Sequence, residues 1–306
     1  MSKRLAALAA LLDALKARDY RFITPTPATH ARVVARETKQ IAKDLRDVFG
    51  WSLAFAPELI DPDLMTLLRD ADVLEHRGAQ LRSLVRVSEL HGMLFLHSAF
   101  PSTRSDSVFF GPDSYRFADF LHETLPAMAP RAHVVDIGAG AGVGGIVAAR
   151  ALGGAAVTLT DINPAALDLA RANCLHAGVK ADLIECDTLA GVTREADVII
   201  ANPPYIADPA HRAYRDGGGL YGGAVSIRWA ADAARRLQPR GVFVLYTGAA
   251  VIDGEHVLRA PLLEALSDCD VLHGEIDPDV FGEELDRDDY KDVERIAVIG
   301  VVAVKR

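Results

Sequence analysis

The 306-residue sequence is 50% hydrophobic with a mean hydropathy of +0.14, enough for the cores of one large or two ordinary domains. Its formal charge of −9 argues against strong non-specific nucleic-acid binding, although residues 1–110 carry a slight basic excess. No apolar run approaches the roughly 18 residues of a membrane span. The three scattered cysteines lack metal-ligand spacing, so we expect reduced thiols in a cytoplasmic protein without a metal site.

Helices followed by a small sheet are predicted for the first hundred residues. The predicted helices are 3–18, 31–49 and, in one or two pieces, 57–77, and the predicted strands are 84–88 and 93–97. Charged residues cut the leucine-rich start short, so it is interpreted as a surface helix and not as a signal peptide. This order resembles a winged-helix-like module, and residues 1–105 are predicted to form a smaller α+β substrate-recognition domain.

Residues 106–306 are predicted to form a second domain of the α/β class. After a helix at 115–125, strands are predicted at 133–137, 156–160, 181–186, 196–201, 241–247, 270–276 and 294–304, and helices at 142–152, 164–177, 223–237 and 255–267. Such alternation is typical of a Rossmann-like, doubly wound sheet. Only an acidic, polar loop joins the last two strands, so we expect them to pair antiparallel.

The stretch from Val134 to Gly142, with sequence VVDIGAGAG, predicts a buried strand that turns sharply into a helix. Its glycines permit positive φ and close approach of a ligand to the backbone. Gly140, Gly142 and Gly145 satisfy the dinucleotide pattern G-x-G-x-x-G. S-adenosyl-L-methionine (SAM) is the rival ligand, because Asp136 lies two residues before Gly138 and would attract its cationic end but repel a pyrophosphate. The turn by itself leaves both ligands open and favours SAM.

Two further carboxylates follow the next strands. Asp161 closes the second strand and would accept from both ribose hydroxyls; the alternative is that it only caps the following helix. Asp187 follows the third strand and would accept from an adenine amino group, or is an ordinary loop residue. Tyr115, before the glycine turn, would stack on or hydrogen-bond to the ligand; packing between domains is its alternative role.

The sequence Asn202-Pro203-Pro204-Tyr205 follows the fourth strand, at the edge where open sheets bind ligands. The consecutive prolines fix φ and remove two donors, which leaves carbonyl groups as acceptors. The Asn202 Oδ1 atom and the Pro203 carbonyl are expected to accept both hydrogens of a planar NH2 group, with the Tyr205 ring stacked on it. Such positioning contributes roughly 7–11 kcal/mol to catalysis.

This tetrapeptide, with Asp136-x-Gly138-x-Gly140-x-Gly142, resembles the class I SAM-dependent methyltransferases that modify planar nitrogens. The most similar groups by motif methylate either glutamine side chains of release factors and ribosomal proteins or amino groups of nucleobases. The resemblance covers about 105–306 and includes the glycine-rich residues 216–220. It implies a SAM site and an acceptor site. The residues expected to bind the cofactor are Asp136, Gly138, Gly140, Gly142, Asp161, Asp187 and Tyr115. The residues expected to bind the acceptor and to act in catalysis are Asn202, Pro203 and Tyr205.

The sequence departs from that family pattern at residues 111–115, which read GPDSY where the release-factor enzymes carry an Arg-Pro-Glu-Thr-Glu-like segment. A protein or RNA substrate is expected before a free small molecule, with no membrane partner. A SAM enzyme of secondary metabolism and a non-catalytic SAM-binding module are the alternatives. A nicotinamide oxidoreductase is the least favoured one.

Overall fold

The computed structural model describes residues 1–101, 104–127, 133–212 and 214–306, whose contacts fall into two units. The first unit comprises Met1–Arg116, Gly140–Val143 and Asn163–Ala181, and the second comprises Phe117–Ala139, Gly144–Ile162 and Asp182–Arg306. The domain boundary at 105/106 stays a prediction. In the described part of the chain, no helix is long and apolar enough to cross a membrane.

The first unit contains short helices and two hairpins. Its elements up to residue 98 are α1 (Lys3–Lys16), α2 (Pro27–Val34), α3 (Leu45–Phe49), α4 (Pro62–Asp70), β1 (Leu74–Arg77), β2 (Gln80–Ser83), β3 (Val85–Leu90) and β4 (Met93–Ser98). The strands pair antiparallel as β1 with β2 and β3 with β4. His91 and Gly92 form the second turn with φ of 50° and 73°. The likeness to a winged helix stays a prediction.

The single helix predicted over 31–49 is wrong, because α2 ends at Val34 and α3 begins only after Asp44. Thr26 caps α2, whose first residue is Pro27, and the Asp44 carboxylate caps α3 by accepting the Asp47 N–H group at 2.8 Å. The β1–β2 hairpin was not predicted, since its four-residue strands are mostly polar and lack a clear alternation.

The remaining elements follow the predicted order closely. They are α5 (Pro112–Thr124), β5 (His133–Ile137), α6 (Val143–Ala151), β6 (Ala156–Asp161), α7 (Pro164–Ala177), β7 (Ala181–Glu185), β8 (Ala196–Ala201), α8 (Ala224–Arg236), β9 (Leu237–Ile252), β10 (Glu255–His256), α9 (Arg259–Ala265), β11 (Cys269–Asp277) and β12 (Arg295–Lys305). Helix α9 is shorter than predicted, because Glu255 and His256 pair with β9 as a strand.

The large sheet has the strand order β7-β6-β5-β8-β9-β12-β11, with β10 on β9. Strand β5 pairs parallel with β6 and with β8, and β8 pairs parallel with β9. Strand β12 runs antiparallel to both β9 and β11. This topology confirms the predicted doubly wound sheet with an antiparallel last strand.

The core of the second unit forms where α8 and α9 cover the sheet. Apolar side chains from consecutive strands meet those of the helices, among them Ile137, Ile199, Phe243, Trp229 and Leu262. Helix α7 belongs to the first unit, where it packs on α1 and β4. The Asn173 carboxamide fixes this packing, since its Oδ1 atom accepts the Leu96 N–H group and its Nδ2 atom donates to the Leu96 carbonyl.

Candidate functional site

The site lies at the carboxyl ends of β5, β6 and β8, where the strand order reverses. Ile137, the last residue of β5, pairs with Ala201 on one side and with Thr160 on the other. Gly138 and Asn202, which directly follow β5 and β8, and Asp161, the last residue of β6, therefore lie side by side at this edge. Such a reversal opens a crevice in doubly wound sheets and is their usual ligand site.

The turn after β5 has the backbone conformation that its glycines predict. Gly138, Gly140 and Gly142 have φ of 63°, 54° and 79°, all in the left-handed region. A Cβ atom on Gly138 would lie 2.3 Å from Cη2 of Trp229, whereas one on Gly140 would meet no atom of the described residues within 4 Å, its two chain neighbours aside. The backbone at Gly138 thus packs directly against the Trp229 ring, whereas the backbone at Gly140 has room for a ligand beside it.

The Asp136 side chain stabilises the first turn of α6. Its carboxylate is 2% exposed and accepts the Gly145 N–H group at 2.7 Å, one of the donors that a helix start leaves unpaired. Burial, with a smaller contribution from the nearby Asp161 charge, raises the pKa of Asp136 to about 7 against the opposing effect of the Gly145 hydrogen bond. A cation close to this carboxyl would favour its ionised form. The contact of Asp136 with the cofactor stays a prediction.

Asp161 and Asp187 differ in their surroundings. The cap of α7 is Asn163, whose Oδ1 atom accepts the Ala165 N–H group at 3.0 Å, so the capping alternative for Asp161 is wrong. Asp187 has a side chain that is 58% exposed and forms an ion pair with Arg228 at 2.8 Å. Arg228 would compete with an adenine amino group for this carboxylate. The ribose and adenine contacts both stay predictions.

Asn202 and Pro203 follow β8 directly. The Asn202 side chain is partly buried, and its carboxamide has no hydrogen-bond partner within residues 1–101, 104–127, 133–212 and 214–306. A partly buried carboxamide without a protein partner retains its full capacity to bind a ligand. Its position beside Gly138, at the reversal of the strand order, places this capacity at the edge where a ligand is expected.

Tyr205 is 6% exposed and anchors the loop after β8. Its ring fills the space that a side chain at Gly248 would occupy, because a Cβ atom there would lie 2.1 Å from Tyr205 Cδ2. The Phe281 ring packs against it at 5.8 Å between centroids, with the planes at 70°. These contacts give the ring a packing role, and its stacking on an acceptor group stays a prediction.

Tyr115 lies in the first unit and contacts other residues of that unit. Its hydroxyl oxygen accepts the Thr24 N–H group at 3.0 Å, and its ring stands perpendicular to Phe110 at 5.3 Å. Burial raises the pKa of Tyr115, so the hydroxyl stays protonated at neutral pH. Its assignment to cofactor binding stays a prediction.

The glycine-rich residues 216–220 lie towards the end of the loop that follows β8. Asp216 organises them: its Oδ1 atom accepts the N–H groups of Asp208 and Gly218, and its Oδ2 atom lies 2.6 Å from Nδ1 of His211.

Trp229 was not singled out from the sequence. An aromatic residue in a helix is usually read as core, and only the fold places this ring against Gly138.

Comparisons with known proteins agree with this geometry. The methyltransferase small domain family matches residues 108–269, more than half of the chain. A release factor glutamine methyltransferase from Deinococcus radiodurans is 33% identical over 54% of this chain and 59% of its own length. A ribosomal RNA small subunit methyltransferase C from Sodalis glossinidius is 30% identical over 30% of this chain and 32% of its own length. The chain thus spans about half the length, or less, of the curated relatives it matches.

A solved structure supports the fold. Trm5b from Pyrococcus abyssi superimposes with a TM-score of 0.51 at 16% identity, over 76% of this chain and 62% of that one. Together the comparisons confirm the predicted resemblance to the methyltransferases.

Proposed function

Because the chain belongs to the methyltransferase small domain family, we propose that it transfers a methyl group from SAM to a planar nitrogen of a macromolecule. The first candidate acceptor is a glutamine side chain of a protein, in line with the release-factor relatives. A nucleobase amino group is the second candidate, in line with the ribosomal RNA relatives. The observation that carries the proposal is the Asn202 carboxamide, which lies beside the glycine turn without a partner among the described residues.

The residues at the sheet edge fit SAM. The left-handed turn at Gly138 and Gly140 leaves open space beside Gly140, and Asp161 ends the neighbouring strand, where a ribose would lie. The buried Asp136 carboxyl holds the first turn of α6 in place. When bound, SAM supplies an electrophilic methyl group on a sulfonium sulfur.

Asn202 and Pro203 would orient the acceptor. The nitrogen of an amide or an aromatic amine is a poor nucleophile because its lone pair is delocalised. The Asn202 Oδ1 atom and the Pro203 carbonyl would accept its two N–H groups and aim the lone pair at the methyl carbon. As the new N–C bond forms, the C–S bond breaks and its electron pair stays on sulfur. The extra proton on nitrogen is then lost to water, so this step needs no strong base.

The first test uses SAM labelled in the methyl group and a cell extract separated into protein, RNA and small-molecule fractions. Label in protein that hydrolyses to N5-methylglutamine supports the first candidate. Label in RNA, on an exocyclic amine, supports the second. Label confined to small molecules contradicts a macromolecular acceptor, and SAM binding without any transfer contradicts catalysis.

Asn202→Ala tests the acceptor role. Turnover is expected to fall at least about a hundredfold, because the acceptor loses its orientation, while SAM affinity by calorimetry stays within a few-fold. Gln40→Ala is the matched control, since it removes an exposed carboxamide whose one hydrogen bond goes to the Arg36 carbonyl. Turnover of the Asn202 variant close to that of the control would show that Asn202 does not hold the acceptor.

A further inference from the structure

The polar connection between β11 and β12, residues 278–294, lies against the loop that follows Asn202. It contains two short 3-10 turns, Gly282–Asp286 and Asp288–Tyr290. The sequence marks this segment only as acidic and polar. In the second unit it contacts residues 205–212 and 214–221, here called the acceptor loop. The contacts described below come from both 3-10 turns and from Arg287 between them.

Tyr290 links the two ends of the acceptor loop through one hydroxyl group. The residue is 1% exposed, and its hydroxyl oxygen accepts the Ala207 N–H group at 2.9 Å and donates to the Tyr221 carbonyl at 3.2 Å. Burial raises the pKa of Tyr290, so the hydroxyl stays a donor at neutral pH. A buried hydroxyl that uses both its donor and its acceptor capacity fixes the separation of the two backbone groups.

Arg287 holds the other side of the same peptide group. Its Nη1 atom donates to the Ala207 carbonyl at 2.6 Å and to Oε2 of Glu284 at 2.7 Å. Glu284 is buried and also pairs with Arg215 of the acceptor loop. Both polar groups of Ala207 are therefore bound by residues of the connection, and a second ion pair ties the loop farther along.

Close backbone packing carries this restraint to the tetrapeptide. A Cβ atom on Gly222 would lie 2.4 Å from the Tyr205 carbonyl oxygen, and one on Gly217 would lie 2.7 Å from the Pro204 carbonyl oxygen. The loop end at Tyr221 and Gly222 thus rests directly on the residues that follow Pro203. A shift of Tyr221 or Ala207 would move Tyr205, because the packing leaves no space to absorb it.

We infer that Tyr290 and Arg287 are positioning residues, which hold the acceptor loop so that Asn202 and the Pro203 carbonyl keep the geometry needed to orient a planar nitrogen. This inference rests on the proposed function. Neither residue is expected to touch SAM or the acceptor, so their loss should lower the rate of transfer without lowering cofactor affinity. Displacements of about 1 Å at an acceptor site reduce rates by roughly a hundredfold.

The experiment compares Tyr290→Phe and Arg287→Lys with wild type in the full-length protein. Tyr290→Phe keeps the ring and removes only the hydroxyl, and Arg287→Lys keeps the charge and loses the fork that joins Ala207 to Glu284. The matched control is Tyr20→Phe in the first unit, where another buried hydroxyl donates to the Val87 carbonyl. Amide hydrogen exchange at Ala207, SAM affinity by calorimetry and labelled-methyl transfer to the protein and RNA fractions of an extract are measured for each.

In both test variants the Ala207 amide is expected to exchange at least about tenfold faster, and methyl transfer at saturating SAM to slow about 10- to 100-fold. SAM affinity should stay within twofold, and Tyr20→Phe should change neither exchange nor transfer. Unchanged exchange at Ala207, or transfer at the control rate despite faster exchange, would overturn the positioning role. A wild-type protein that binds SAM but transfers no methyl group contradicts the proposed function instead, and the exchange result then decides alone whether the connection restrains the loop.

Discussion

Gly138 offers the sharpest test of the turn after β5, because two independent effects oppose any side chain there. Its φ of 63° lies in the left-handed region, and its hypothetical Cβ atom would lie 2.3 Å from Cη2 and 2.9 Å from Cζ3 of Trp229. The left-handed conformation costs about 1 kcal/mol for alanine. Forcing a methyl group into a packed ring costs about 1–3 kcal/mol more. Gly138→Ala should therefore lower the free energy of unfolding by about 2–4 kcal/mol.

Gly140→Ala is the matched control for this substitution. Gly140 has a similar φ of 54°, but among the described residues other than its chain neighbours no atom lies within 4 Å of its hypothetical Cβ atom. Only the conformational cost of about 1 kcal/mol is expected there. The difference between the two variants, about 1–3 kcal/mol, measures the clash with Trp229.

Urea denaturation followed by circular dichroism provides the measurement, with the slope m as a check on the unfolded state. Adding Trp229→Phe to Gly138→Ala should recover part of the loss, because the smaller ring lacks the clashing edge, and the double-mutant cycle gives the coupling energy. If Gly138→Ala is no more destabilising than Gly140→Ala, or if the cycle shows no coupling, the packing of Gly138 against Trp229 is refuted.

Two further predictions concern the carboxylates. Burial raises the pKa of Asp136 from its ordinary value of 3.8 to about 7 in the folded protein, so the native state binds more protons than the unfolded state between these values. The free energy of unfolding should therefore fall as pH rises from about 4 to about 7 and stay level above pH 7. Denaturation curves of the Asp136→Asn variant should lack this decline. An identical decline in the variant would assign the effect to other groups. Asp161→Ala should weaken SAM binding by about 10- to 100-fold in calorimetry, since hydrogen bonds to a charged group contribute about 1.5–3 kcal/mol. Asp187→Ala should weaken it less, because Asp187 is exposed and paired with Arg228, and the reverse order would exchange their assigned roles.

The regular part of the fold was predictable because local patterns encode it. Apolar runs that end in Asp136, Asp161 and Ala201 correspond to strands β5, β6 and β8, with bounds within one residue of those predicted. The antiparallel last pair followed from the absence of a helix between β11 and β12. The N-terminal helices were harder to predict, because Asp44 caps a new short helix inside the stretch 31–49, whose pattern predicts a single helix.

The sequence by itself determined the class of site, because a glycine turn and the Asn202 tetrapeptide are local arrangements whose chemistry depends on adjacent residues. It did not determine which other side chains these residues contact. The ring of Trp229 over Gly138 and the bonds from Tyr290 to Ala207 and Tyr221 join positions far apart in the chain. Only the tertiary structure decides such contacts, since they depend on strand order and loop packing, which no spacing between neighbouring residues encodes.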